Sequence, residues 1–181
     1  MLRITIPSKE YWDEKKEEFV TIGKEQILQL EHSLVSVSKW ESKWCKPFLS
    51  KDNKTSEETI DYIKCMTITQ NVTDDTYNRL TSANIKDIQD YIEAPMTATT
   101  FFERNNGGGV KETITSELIY YWMIAFNIPM ECQKWHLNKL LTLIRVCNVK
   151  NAPPKKMGRR EIASQYAALN AARRNKLNTK G

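Results

Sequence analysis

Apolar and polar positions alternate at the start of the chain, where Leu2, Ile4 and Ile6 are separated by polar residues and the run stops at Pro7. Glu18–Ile22 and Gln26–Leu30 flank the turn residues Gly23, Lys24 and Glu25, which predicts a β-hairpin across 18–30 beside a short first strand. Three short strands with one apolar face need a helix to cover them.

From Ser33 the apolar period lengthens to about 3.6 residues, the helical repeat. Trp40, Trp44 and Phe48 fall on one stripe, Ser38 and Glu41 have capping-box spacing, and Pro47 predicts an end near Cys45. Thr55 and Glu58 form a second capping box, opening a helix through Ile60, Ile63, Lys64 and Ile68. Short helices follow over 74–81 and 84–93, then a loop from Ala94 to Lys111 whose tip is Asn105-Asn106-Gly107-Gly108-Gly109. Thr115 or Ser116 caps a helix over 117–126 that is apolar on every side, a pattern expected to be buried all round. After the break at Asn127-Ile128-Pro129, a helix is expected from Glu131 to Asn148, packed against 117–126 as an antiparallel hairpin. Ala152-Pro153-Pro154 is a stiff break, and 159–176 carries strong helix formers with a thin stripe of Ile162, Tyr166 and Leu169. Such a narrow stripe suits a segment that is mobile alone and helical when bound.

The pattern therefore predicts a mainly α (α+β) protein. A helical body with a small N-terminal β-sheet or hairpin spans 1–149, and a basic C-terminal helical arm spans 150–181. Charge sharpens that division. Residues 150–181 hold nine Lys/Arg against one acid, Glu161, while the other 18 basic and 21 acidic residues leave the body at −3. A folded body with an oppositely charged arm is the layout of a binding protein.

Membrane insertion is not expected, because the longest apolar run, Leu118 to Phe126, is about half the ~20 residues a span needs. Met1 to Pro7 is too short and alternating for a signal peptide. The four cysteines (Cys45, Cys65, Cys132, Cys147) form no CxxC pair and lie in apolar helical patterns, so reduced, buried thiols in a cytoplasmic protein are expected.

Catalytic chemistry has little to stand on. The chain has two histidines, His32 and His136, and neither sits in a nucleophile–base signature. Cys132 and His136, four apart on the expected helix, are half of a metal site without a second half, so no metal or other cofactor is expected. The triple glycine lacks the Gly-Lys-Ser/Thr of a phosphate loop. Trp40, Trp44 and Trp122 read as core, whereas Trp12, among charges, reads as exposed. The arm suits nucleic acid through phosphate neutralisation or an acidic protein partner, but lacks interleaved aromatics.

Two stretches carry a family resemblance: 30–44, with Trp40 and Trp44, and 117–145, with Tyr121, Trp122, Trp135, His136, Leu140, Leu141 and Arg145. An aromatic helix, a short break, then a Trp-His helix leading to leucines and an arginine resembles the tail assembly chaperones of long-tailed (siphovirus-like) bacteriophages. That resemblance implies a non-enzymatic factor in the host cytoplasm, absent from the mature virion. It would bind the tape measure protein and tail-tube subunits and could self-associate. Partner-binding residues expected on this basis are Tyr121, Trp135 and Arg145 in the body and Arg159, Arg160, Arg173 and Arg174 in the arm. Two rival functions stay open: a structural virion protein, such as a head–tail connector or tail completion protein, and a nucleic-acid-binding phage protein.

Overall fold

A computed structural model describes residues 1–14, 17–101, 113–152 and 158–177. The glycine-rich loop tip, the Pro153-Pro154 break and Lys180 lie outside the described residues. The protein is mainly helical with a small N-terminal β structure, and it divides into two compact units, Met1–Cys147 and Asn148–Gly181. No helix among the described residues is long and apolar enough to cross a membrane.

Four strands open the first unit: β1 (Leu2–Ile6), β2 (Lys9–Asp13), β3 (Glu18–Ile22) and β4 (Gln26–Leu30). The expected hairpin between 18–22 and 26–30 does not form. Instead β4 pairs with β1, Leu2 opposite Leu30 and Ile6 opposite Gln26, while β2 pairs with β3, Lys9 opposite Ile22 and Asp13 opposite Glu18. The inner ladder is thus nested within the outer one, as one long antiparallel ribbon kinked where Pro7-Ser8 faces Gly23-Lys24-Glu25. The outer pairing wins because it places Ile4, Ile6, Leu28 and Leu30, all buried, together on the core face. A local β3–β4 turn could not bring Ile4 and Ile6 into that layer.

Arg79 fills the kink. Its Nη1 donates to the carbonyls of Pro7 (2.8 Å) and Lys24 (3.1 Å), and its Nε faces the Asp75 carboxylate at 3.3 Å. Gly23 has φ +67°, and a Cβ there would lie 2.6 Å from the guanidinium carbon, so the position needs glycine twice over.

Helix α1 (Leu34–Trp44) begins at Ser33, not at the expected Ser38 cap. Ser33 and Ser36 close the box, leaving Glu41 for another task, and Cys45 ends the helix in the left-handed region before Pro47. Helix α2 (Ser56–Met66) has the expected Thr55–Glu58 box but stops short of Ile68, because Thr67 and Ile68 join the edge of β4. Trp40 donates to the Glu58 carbonyl (2.9 Å) and Trp44 to the Asp61 carboxylate (2.9 Å), fastening α1 to α2. Helices α3 (Asp74–Asn78) and α4 (Ser82–Glu93) follow, with α4 packed on β1.

Helix α5 (Ser116–Ala125) packs on α1. The expected continuous helix over 131–148 is broken into a 3₁₀ turn (Met130–Lys134) and α6 (Leu137–Asn151). His136 causes the break: it pairs with Ser33 in an isolated bridge, and the next amide, Leu137 N–H, donates to the His32 carbonyl at 2.8 Å. Both α5 and the 3₁₀ turn contact α1, and residues of α5, the turn and α6 share one buried core cluster. The second unit contains α7 (Arg159–Leu177), whose described side chains are all exposed.

Candidate partner-binding surface

Helix α5 is held rigidly from its inner side. Thr115 caps it, and the buried Glu41 carboxylate accepts from the Ser116 amide (2.7 Å) and, on its other oxygen, from the Phe48 amide (2.7 Å). Ile119 and Met123 enter the core, while Tyr120 donates to Gln133 (2.9 Å) and links the helix to the 3₁₀ turn. Asn127, at φ +53°, turns the chain so that Ile128 N–H reaches the Met123 carbonyl at 2.8 Å.

The helix is not buried all round, as its composition suggested. Tyr121 (63 % exposed) and Ile124 (68 % exposed), three apart, form an apolar outer face. Ile119 and Met123 occupy the contact with the core, and Tyr121 and Ile124 lie on the opposite side of the helix.

Trp135 is 39 % exposed, with the Lys139 ammonium 4.4 Å from its ring centroid. Arg145 is exposed on α6, its guanidinium 4.2 Å from the Phe101 ring. Tyr121 thus stands on α5, Trp135 in the link between the 3₁₀ turn and α6, and Arg145 on α6. Arg159, Arg160, Arg173 and Arg174 belong to α7 in the second unit.

Behind Trp135 lies a buried polar cluster that fixes the start of α6. His136 Nε2 donates to the Tyr91 carbonyl (2.9 Å) and its Nδ1 accepts from the Asn138 amide (3.3 Å), which sets the tautomer. The His136 ring meets His32 edge-on, with centroids 5.1 Å apart, and the Tyr62 hydroxyl is hydrogen-bonded to His32 Nδ1 at 2.5 Å. Burial, helped by the neighbouring His136, lowers His32 to about 3, and burial also lowers His136. Desolvation pushes the Tyr62 hydroxyl up, so it stays protonated. Both rings are enclosed and committed to core partners.

The break at Trp135 also separates Cys132 from His136, which the sequence had placed on one helix. Among the described residues no group of three or more His, Cys, Asp or Glu is placed to hold a metal ion. The cysteines are not uniformly buried as expected: Cys132 is buried, Cys65 and Cys147 half-buried, and Cys45 exposed at the end of α1.

Comparison of the chain with protein-family models, curated proteins and solved structures finds no match.

Three surface features escaped the sequence. Phe19 lies opposite Trp12 on the inner ribbon, and their rings form an exposed edge-to-face pair with centroids 5.0 Å apart. Ile124 belongs with Tyr121, a link the helical spacing could have given. A cleft of about 340 Å³ opens between α2 and α4, lined by Tyr62, Ile63, Ile85, Ile88 and Ile92 together with polar residues that include Asp52, Lys54 and Gln89. Only the tertiary structure brings those two helices alongside.

Proposed function

We propose that this protein is a non-enzymatic assembly chaperone of the phage-tail type, which binds exposed apolar helices of the tape measure protein. The observation that carries the reading is the outer face of α5: Tyr121 and Ile124 are exposed on a helix whose inner side is locked by Glu41, Ile119 and Met123. A rigid, solvent-facing aromatic and aliphatic pair is what a client helix can bury with its own i, i+3, i+4 anchors. Trp135 with Lys139, and Arg145 with Phe101, supply aromatic and cationic contacts on the following elements. The basic arm steers encounter with acidic stretches of the client or of tail-tube subunits. In this reading the protein acts in the host cytoplasm and leaves before the virion is complete.

The test is co-expression with the tape measure protein of the same gene cluster, followed by fractionation and pull-down. Soluble client recovered only with this chain supports the proposal. Tyr121→Ser with Ile124→Ser should weaken the complex at least about tenfold, since each truncation of a binding anchor costs roughly 1–2 kcal/mol. Insoluble client with no complex, or many copies of this chain retained in purified particles, overturns it.

A further inference from the structure

To steer a client α7 needs only net positive charge, yet its arginines are placed more specifically than that. Residues 150–181 hold nine Lys/Arg against Glu161 alone, and Arg159, Arg160, Arg173 and Arg174 are all exposed. At about 100° per residue, these four arginines fall within an arc of about 140° on one side of the helix. Glu161 occupies a position on the opposite side, with Ser164, Ala168 and Ala172.

Along the axis the arginines form two pairs. Arg159 and Arg160 lie in the first turn, and Arg173 and Arg174 lie about 21 Å further on at 1.5 Å per residue. Between the pairs the same arc carries Ala163, Ala167 and Asn170, two small residues and an amide, together with Tyr166, all exposed. Cations in a first turn oppose the helix dipole, so the first pair weakens an isolated helix and gains from an external anion. A lipid surface requires apolar and cationic groups on separate faces, but Arg173 falls between Ile162 and Tyr166 on the helical projection. An apolar protein groove meets the same obstacle, since seating Ile162 and Tyr166 would desolvate Arg173 with them.

We propose that α7 binds duplex DNA by lying in the major groove. The groove is about 12 Å wide, and a helix of 19 residues is about 28 Å long, so α7 reaches both phosphate rims. Each arginine pair then meets one rim, and the strip of Ala163, Ala167 and Asn170 lies over the base edges. Small side chains let the helix backbone approach closely, and the Asn170 amide suits the N6 and N7 atoms of adenine. Phosphate neutralisation by the arginines supplies most of the affinity. Duplex RNA fits less well, because its major groove is deep and too narrow for a helix.

The test needs no client, so its failure is separate from failure of the chaperone reading. Fluorescence anisotropy of a labelled duplex of about 20 base pairs, titrated with the full chain near 0.1 M salt, should give a Kd of roughly 1–100 µM. Four neutralised phosphates set the slope of log affinity against log salt at about −3.6, a loss of about a hundredfold between about 50 and 200 mM. Arg159→Gln with Arg160→Gln, or Arg173→Gln with Arg174→Gln, should each bring the slope to about −1.8. Lys176→Gln, outside the arc, should leave it nearly unchanged. Glutamine is a good helix former and all five side chains are exposed, so circular dichroism should not change. Should a variant lose helix, photo-crosslinking residues at positions 163 and 168 of otherwise unaltered chains replace it. The first, on the arc, should join to the duplex, and the second, opposite, should not. Duplex RNA should bind at least about tenfold more weakly, and polyglutamate should compete poorly with DNA. No binding at roughly 100 µM chain in about 50 mM salt overturns the proposal. So does a slope lowered as much by Lys176→Gln as by an arginine, equal crosslinking from both positions, RNA bound as tightly as DNA, or polyglutamate competing as well as the duplex.

Discussion

Acidification should destabilise this protein well above the range in which carboxylates titrate, and His32 is the reason. In the folded state burial and His136 lower His32 from the ordinary 6.5 to about 3, while in the unfolded chain it returns to 6.5. Between those values the unfolded state binds the extra proton, so stability rises with pH across the window and is lost as pH falls through it. At 1.36 kcal/mol per unit, the full depression corresponds to about 5 kcal/mol. Of that, about 2 kcal/mol should be lost between pH 7.5 and pH 5. His136, also lowered by burial, adds loss in the same direction. The measurement is urea denaturation of the full chain at several pH values across that range, with the His32→Gln variant alongside. Glutamine offers a hydrogen-bond partner to the Tyr62 hydroxyl but no titrating group, so the variant should be less stable at pH 7.5 yet show a shallower pH slope. Wild-type stability that is flat between pH 7.5 and 5, or an unchanged slope in His32→Gln, would refute the reasoning.

Other expectations follow from single contacts. Gly23→Ala forces a Cβ against the Arg79 guanidinium at positive φ and should cost roughly 1–3 kcal/mol, read as a lowered melting temperature. Glu41→Ala strands the amides of Phe48 and Ser116 and should cost about 2–4 kcal/mol in urea denaturation. Thiol labelling of the native protein should modify Cys45 first and Cys132 only on unfolding, and burial, which pushes the Cys65 thiol up, should slow its reaction. Tyr121→Ser with Ile124→Ser should leave the unfolding midpoint nearly unchanged while weakening client capture, because both side chains face solvent.

Local chemistry was legible where one stretch of chain settles its own conformation. The Thr55–Glu58 box, the stop at Cys45 before Pro47 and the break after Phe126 are written in neighbouring residues, because caps and prolines act within a turn. The mainly helical class with a small N-terminal β structure was readable for the same reason, since period alone separates strand from helix. The exposure of Tyr121 and Ile124 was not, since an all-apolar helix says nothing about how many sides find a neighbour.

Partnership between distant segments was decided only in three dimensions. Gly23-Lys24-Glu25 has the chemistry of a hairpin turn, yet β4 pairs with β1 because burying Ile4 and Ile6 beside Leu28 and Leu30 outweighs a local loop. Arg79, from a short loop 56 residues further on, then fills the resulting kink. His136 interrupts a strong helical pattern for a similar reason: its bridge to Ser33 and its bond to Tyr91 join segments about a hundred and about forty-five residues away. By itself the sequence determined periods, caps, breaks and the opposite charges of body and arm, which depend on neighbours in the chain. Which apolar faces met, which polar groups were buried together and where a groove remained depended on desolvation shared among distant residues, and only the tertiary structure could decide that.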